Sequence, residues 1–180
     1  DDQRADVLAA CERIQNELDD AGLNVKLDAD DTRRAGWKFA EYELRGVPVR
    51  LGIGPRDLKN NNVELARRDT QEKSIVSQDG LAERITDLLD DIQESLYANA
   101  LQRREETTHR VDDYDAFKEA IEAGGFVWAH WDGTPETEAR IQEETGATIR
   151  CIPFDRDDET GEDLLTGEPS DGRVVFAKAY

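Results

Sequence analysis

Apolar residues in this chain switch repeatedly between helical and strand spacing, and that alternation limits the fold more than any other feature. Val7, Leu8, Cys11, Ile14 and Leu18 recur on one helix face, and Gly22 follows as a C-terminal stop. Val25 and Leu27 alternate with polar residues and predict a short strand. A second helix is predicted from Thr32 or Arg33 to Leu44, a strand over 48–53, and a hairpin of 62–68 and 73–77 across Asp69-Thr70-Gln71. Leu81, Ile85, Leu88, Leu89, Ile92, Leu96 and Leu101 mark a long helix of about seven turns at 3.6 residues per turn. Beyond Val111 the pattern restarts: a helix over 114–123 stopped by Gly124-Gly125, a strand over 126–130, a helix over 136–144, a strand over 148–153, an acidic Gly- and Pro-rich loop over 155–172, and a last strand over 174–177. Strands alternating with helices in both halves favour α/β architecture. The expected division is a first domain over 1–108, ending in the long helix, and a second over 109–180.

Chemistry concentrates in the run from Gly36 to Asp57. Gly46 and Pro48 end a helical pattern and open the strand Val47-Val49-Leu51-Ile53, and Gly54-Pro55-Arg56-Asp57 is expected to close it with a turn. Arg50 must point to the opposite sheet face from Val49 and Leu51. Phe39 and Glu43 are four apart on one helix face, so a ring and a carboxylate reach the same place. Such a set suits an unpaired nucleobase. A ring stacks on the base, a carboxylate accepts from the N–H edge of guanine, and arginines hold phosphates or base acceptors. Phe39 as ordinary core beneath a solvated charged face is the other arrangement these residues allow.

Charge is distributed unevenly. The chain carries 42 Asp+Glu against 23 Lys+Arg, a net of -19. Residues 33–73 hold 10 basic and 6 acidic residues, whereas the remainder holds 13 and 36. The segment proposed to face phosphates is spared the acidic excess, as such a patch requires. Arg outnumbers Lys 17 to 6 and Asp is abundant, a balance resembling proteins from salt-loving organisms, where counterions screen self-repulsion.

Other chemistries find little support. Cys11 and Cys151 form no CxxC pair and no disulfide framework; Cys11 falls in an apolar stripe, consistent with a core thiol in a reducing compartment. His109 and His130 sit in no nucleophile–base motif. Neither a P-loop nor a GxGxxG run is present. The sequence shows no signal peptide and no long apolar run, so a cytoplasmic location is expected.

The run from Trp37 to Asp57 closely resembles the anticodon-binding domain of prolyl-tRNA synthetases of the archaeal and eukaryote-like type. The likeness continues through Arg67–Lys73, the tract 111–120, the tract 141–154 and the ending 174–180. It implies a three-layer α/β domain with a mixed sheet, followed by a small α/β C-terminal domain. That family's anticodon-binding domain opens with an apolar strand ahead of the first helix, so here the sheet is expected to lack one strand. By the same resemblance Phe39 stacks on an anticodon base, Glu43 and Arg50 read the two guanines of the proline anticodon, and Arg56, Asp57 and Lys73 complete recognition. A Glu43–Arg50 salt bridge is an alternative that can coexist with those roles. The implied partners are tRNA(Pro), a catalytic domain of the same enzyme that uses ATP and Mg2+, and a second copy in a homodimer. A non-catalytic paralogue that uses the fold as an interaction module is the competing function.

Many relatives carry a four-cysteine zinc site in the C-terminal domain. The corresponding positions here are Asp132, Thr137, Asp163 and Thr166. Threonine is a poor zinc ligand, and the expectation is a zinc-type fold held by hydrogen bonds and packing without metal.

Overall fold

The structure, a computed structural model, describes residues 2–154 and 156–178; Asp1, Asp155, Ala179 and Tyr180, counted above within the start, the loop and the ending, lie outside the described residues. The chain divides into two compact units, 1–97 and 98–180. The division falls within the long helix, earlier than the expected boundary after residue 108.

The first unit opens with α1 (Asp2–Asp20), whose Ile14 and Leu18 are buried. Gly22, at φ +83°, ends it in a Schellman turn: its N–H bonds to Asp19 O at 2.9 Å and that of Leu23 to Leu18 O at 3.0 Å. The predicted strand at Val25–Leu27 is not formed. A strand needs a ladder partner, and among the described residues no strand pairs with this segment. Side chains fasten it instead: the Lys38 ammonium (2.7 Å) and the Tyr42 hydroxyl (3.0 Å) both donate to the Asp28 carboxylate. The Lys38 bond outweighs burial and holds the Asp28 carboxyl below its usual range.

Lys38 and Tyr42 belong to α2 (Ala35–Leu44), two or three residues shorter than predicted. Then follow β1 (Val49–Gly52), α3 (Pro55–Lys59), β2 (Asn62–Arg67) and β3 (Lys73–Ser77), with the strands in the antiparallel order β1-β2-β3. The expected turn at Gly54–Asp57 is the first turn of α3, with Pro55 at the position where a missing N–H costs nothing. The ladders described in this unit are all antiparallel, so the mixed character implied by the resemblance appears here only in the second unit. Val49, Leu51, Val63, Leu65 and Val76 face one side of the sheet and pack with Ile14, Leu18, Leu81 and Ile85 into one core. Full burial of such side chains contributes about 1.5–3 kcal/mol each.

The long helix α4 (Leu81–Glu106) runs past Leu101. Its last turn is Gln, Arg and Glu, which carry no apolar signal. No helix of the described residues is long and apolar enough to cross a membrane.

The second unit contains β4 (Thr108–Arg110), α5 (Tyr114–Ala123), β5 (Phe126–His130), α6 (Pro135–Thr145), β6 (Ala147–Cys151), β7 (Gly161–Glu162), β8 (Pro169–Ser170) and β9 (Arg173–Lys178). Its four-stranded sheet has the order β4-β5-β9-β6, with β4 and β5 parallel and the other pairs antiparallel. β4 was absent from the sequence reading, and β7 and β8 form a two-stranded ladder inside the predicted loop. Phe117 and Phe176 meet edge to face at 5.2 Å in a core with Ile121, Val127, Ile141 and Val174. Gly125, at φ +106°, must be glycine: a Cβ there would sit 2.0 Å from Thr107 O, where the chain enters β4.

Candidate nucleic-acid interface

β-strand parity places Val49 and Leu51 of β1 toward the core, which turns Arg50 to the other face of the sheet. Across the ladder Arg50 pairs with Ala66, and Ala66 with Lys73. These three form one row on the face away from the core. α2 lies against this face, anchored through Lys38 and Tyr42 to Asp28. The helix thereby delivers Phe39 to Arg50, whose guanidinium stands 3.5 Å from the ring centroid. Both partners are half-buried, and a cation–π pair in such a setting contributes about 1–2 kcal/mol.

Between helix and sheet lies a narrow pocket of about 20 Å³, bordered by Phe39, Glu43, Val47, Arg50 and Arg68. Three of the six residues expected to bind an anticodon, Phe39, Glu43 and Arg50, therefore converge in one place. Lys73 shares the sheet face by register. Arg56 and Asp57 do not border this pocket; they occupy the first turn of α3, where the Asp57 carboxylate accepts the Gly54 N–H at 2.9 Å. Arg56 is exposed. Arg50 pairs at 3.3 Å with Glu64, its diagonal neighbour on β2, and not with Glu43. The Glu43 carboxylate is exposed and takes part in no ion pair among the described residues. A free carboxylate beside a ring and two guanidiniums can accept from a base N–H edge without first breaking a salt bridge.

Sequence reasoning missed Tyr42, Glu64 and Arg68. Each follows from periodicity: Tyr42 lies one helical turn from Phe39, while Glu64, Ala66 and Arg68 share the strand parity that puts Ala66 beside Arg50. Adjacent arginines then diverge. Arg67 points to the core side, where Nε and Nη2 clamp Asp69 at 3.0 and 2.7 Å and Nη1 reaches Asp91 of α4 at 2.6 Å. These bonds raise the Arg67 pKa still further and, against the effect of burial, hold the Asp69 carboxyl low. Arg68 points to the pocket side. Its Nε is buried and has no hydrogen-bond partner, alone in this among the described side chains. A buried donor left unmet costs about 1–3 kcal/mol.

Comparison with known proteins supplies the family. Residues 2–88 match the family described as Anticodon binding domain, and residues 114–180 match Prolyl-tRNA synthetase, C-terminal. A proline--tRNA ligase of Salinibacter ruber is 65% identical over 181 residues, covering 100% of this chain and 37% of that protein. One from Phocaeicola vulgatus is 57% identical, over 96% of this chain and 35% of the relative. Another, from Porphyromonas gingivalis strain W83, is 52% identical over 100% and 36%. This chain belongs to the prolyl-tRNA synthetase family. It spans little more than a third of the length of these relatives and carries the anticodon-binding domain of such a synthetase.

In the C-terminal unit, the four positions that the resemblance sets against zinc ligands come together as a hydrogen-bonded cluster. The Asp132 carboxylate accepts from the hydroxyls of Thr134 (2.9 Å), Thr137 (2.7 Å) and Thr166 (3.3 Å) and from the Thr134 N–H (2.9 Å). Asp163 accepts from the N–H groups of Asp132 (3.1 Å), Leu165 (2.8 Å) and Thr166 (2.8 Å). Burial pushes the Asp132 carboxyl up, but the Thr137 and Thr134 bonds outweigh it and hold the group below its usual range. Two threonine hydroxyls and two carboxylates already engaged by protein donors do not fit a structural zinc site, which takes four good N, S or carboxylate ligands. Among the described residues, no three His, Cys, Asp or Glu side chains stand close enough to hold a metal ion together.

The other buried polar groups of this unit are also engaged. His130 Nδ1 lies 3.2 Å from Ser170 Oγ, and Arg173 bonds to Glu159, Asp112 and the Val111 carbonyl. Burial pushes the Tyr114 hydroxyl up to about 12, helped by its bond to Glu144.

Proposed function

We propose that the first unit reads the anticodon of a proline tRNA in the pocket between α2 and the open sheet face, as the recognition part of a ligase that joins proline to that tRNA. The convergence of Phe39, Glu43 and Arg50 carries this reading. Phe39 supplies a stacking platform, Glu43 an acceptor for guanine N1–H and N2–H, and Arg50 a donor and stacking plane. Arg56, Asp57 and Lys73 contact the RNA around this centre. ATP and Mg2+ act in a catalytic domain outside this chain, and the whole ligase works in the cytoplasm as a homodimer. Base contacts made here select which tRNA is charged at its other end.

Charging by the full-length ligase tests the assignment. Glu43→Ala should remove about 1–3 kcal/mol of discrimination between tRNA(Pro) and an anticodon-substituted tRNA. An unchanged ratio between the two tRNAs would exclude Glu43 as a base reader.

The C-terminal unit folds without metal under this proposal, supported by the saturated Asp132–Thr137–Asp163–Thr166 cluster. Elemental analysis of protein purified without chelator should find far less than one zinc per chain. A stoichiometric, tightly held zinc would overturn it.

A further inference from the structure

We propose that Arg68 is a further specificity-determining residue of the pocket, donating to the acceptor edge of an unpaired guanine. The proposal rests on the anticodon reading above and adds a contact that reading does not contain. Two observations carry it. The Arg68 Nε is buried without a partner, and none of its side-chain nitrogens bonds to the protein among the described residues. The same side chain borders the pocket that holds Phe39, Glu43 and Arg50. Its neighbour Arg67 shows what an arginine held for structure looks like here, with three short bonds to two carboxylates.

The backbone beside Arg68 is fixed from both sides. Its N–H bonds to Pro48 O at 2.9 Å, and its carbonyl accepts the Gln71 side-chain amide at 2.8 Å. The side chain is therefore rooted on a rigid ladder end while its guanidinium is uncommitted, the arrangement of a group held ready for a ligand. A guanidinium edge presents two parallel N–H donors. Two edges of an unpaired base match it, O6 and N7 of guanine and N3 and O2 of cytosine, and the two guanines of the proline anticodon point to the first. Glu43 on the same pocket wall suits the opposite edge, where guanine offers N1–H and N2–H. A phosphate is the weaker match. It is fully charged and strongly hydrated and would stay at the rim, whereas the unmet donor lies below the surface of the pocket.

Binding of an anticodon stem-loop RNA of tRNA(Pro) to the 180-residue chain tests this, using Arg68→Gln, Phe39→Ala and loops in which each guanine in turn becomes 7-deazaguanine, which lacks N7. Arg68→Gln should weaken binding about tenfold. One 7-deazaguanine loop should lose a similar factor against the unaltered chain and lose nothing further against Arg68→Gln. The melting temperature of Arg68→Gln should not fall, because nothing in the protein accepts from this side chain. A lower melting temperature would indicate a structural role and overturn the proposal. An equal loss on every loop sequence, with a salt dependence shallower by about one charge, would indicate a phosphate contact and overturn base reading. Tight binding by Arg68→Gln together with a loss for Phe39→Ala would overturn the role of Arg68 and leave the anticodon reading intact. No loss for either variant would overturn both.

Discussion

The two units handle polar groups in opposite ways. In the second, the buried polar side chains are engaged within the protein: His130 with Ser170, Arg173 with Glu159 and Asp112, and Asp163 with three backbone N–H groups. In the first, one sheet face presents a ring, an unpaired carboxylate and a guanidinium with a buried donor unmet. Buried polar groups in folded proteins are nearly always paired. The Arg68 Nε departs from that rule inside a cationic segment of an acidic chain, and the proposed anticodon contact would supply its missing partner.

Equivalent changes in the two units offer the strongest way to break this contrast. Phe117→Ala removes a fully buried ring from the second core and should cost about 3–5 kcal/mol of stability, read in a urea titration. Phe39→Ala should cost less stability, on the order of the 1–2 kcal/mol of its pair with Arg50, yet remove about 1–3 kcal/mol of RNA binding. Comparable stability losses would show that Phe39 is core and the open face is ordinary surface.

Asp132→Asn sharpens the comparison from the other side. The native carboxyl is held below its unfolded value of about 3.9, so its contribution is fully present above that value and is lost as pH falls through the folded one. The substitution should cost about 1–3 kcal/mol at pH 7 by mismatching the threonine donors, and it should flatten the acid limb of the stability curve. An unchanged acid limb would mean the cluster contributes nothing to holding the unit together.

Salt should produce the smallest and most diffuse effect. Outside residues 33–73 acidic residues outnumber basic ones 36 to 13. Self-repulsion should ease as the Debye length shortens from about 10 Å at 0.1 M to about 3 Å at 1 M. The melting temperature should rise from dilute to molar KCl, while RNA affinity falls only shallowly, because stacking and base hydrogen bonds survive screening. A flat or declining melt would remove the salt-adapted reading without touching the anticodon assignment.

Much of this organisation was legible in the residues, and the exceptions share physical causes. Helices with an apolar stripe and strands with alternating burial were recognisable because burial writes itself into periodicity. β4 was not: Thr108-His109-Arg110 has no apolar residue, and only its pairing with β5 makes it a strand. The same holds for β7 and β8, two residues each. Val25 and Leu27 failed in the reverse sense, having strand spacing but no partner strand among the described residues. At the site, Phe39, Glu43 and Arg50 emerged from helix and strand parity together with the family resemblance. Arg68 did not, because the sequence shows two adjacent arginines alike. Only the sheet reveals that one is clamped by Asp69 and Asp91 while the other has no partner.

The most direct test of the open-face account is the affinity of this chain for two stem-loop RNAs that differ only in the anticodon guanines. The account predicts that replacing either guanine with adenine weakens binding by about 1–3 kcal/mol, because adenine lacks the O6 acceptor and the N1–H and N2–H donors. It further predicts that Glu43→Ala erases most of that difference at one of the two positions. Equal affinity for both RNAs, or discrimination that survives Glu43→Ala at both positions, would contradict it.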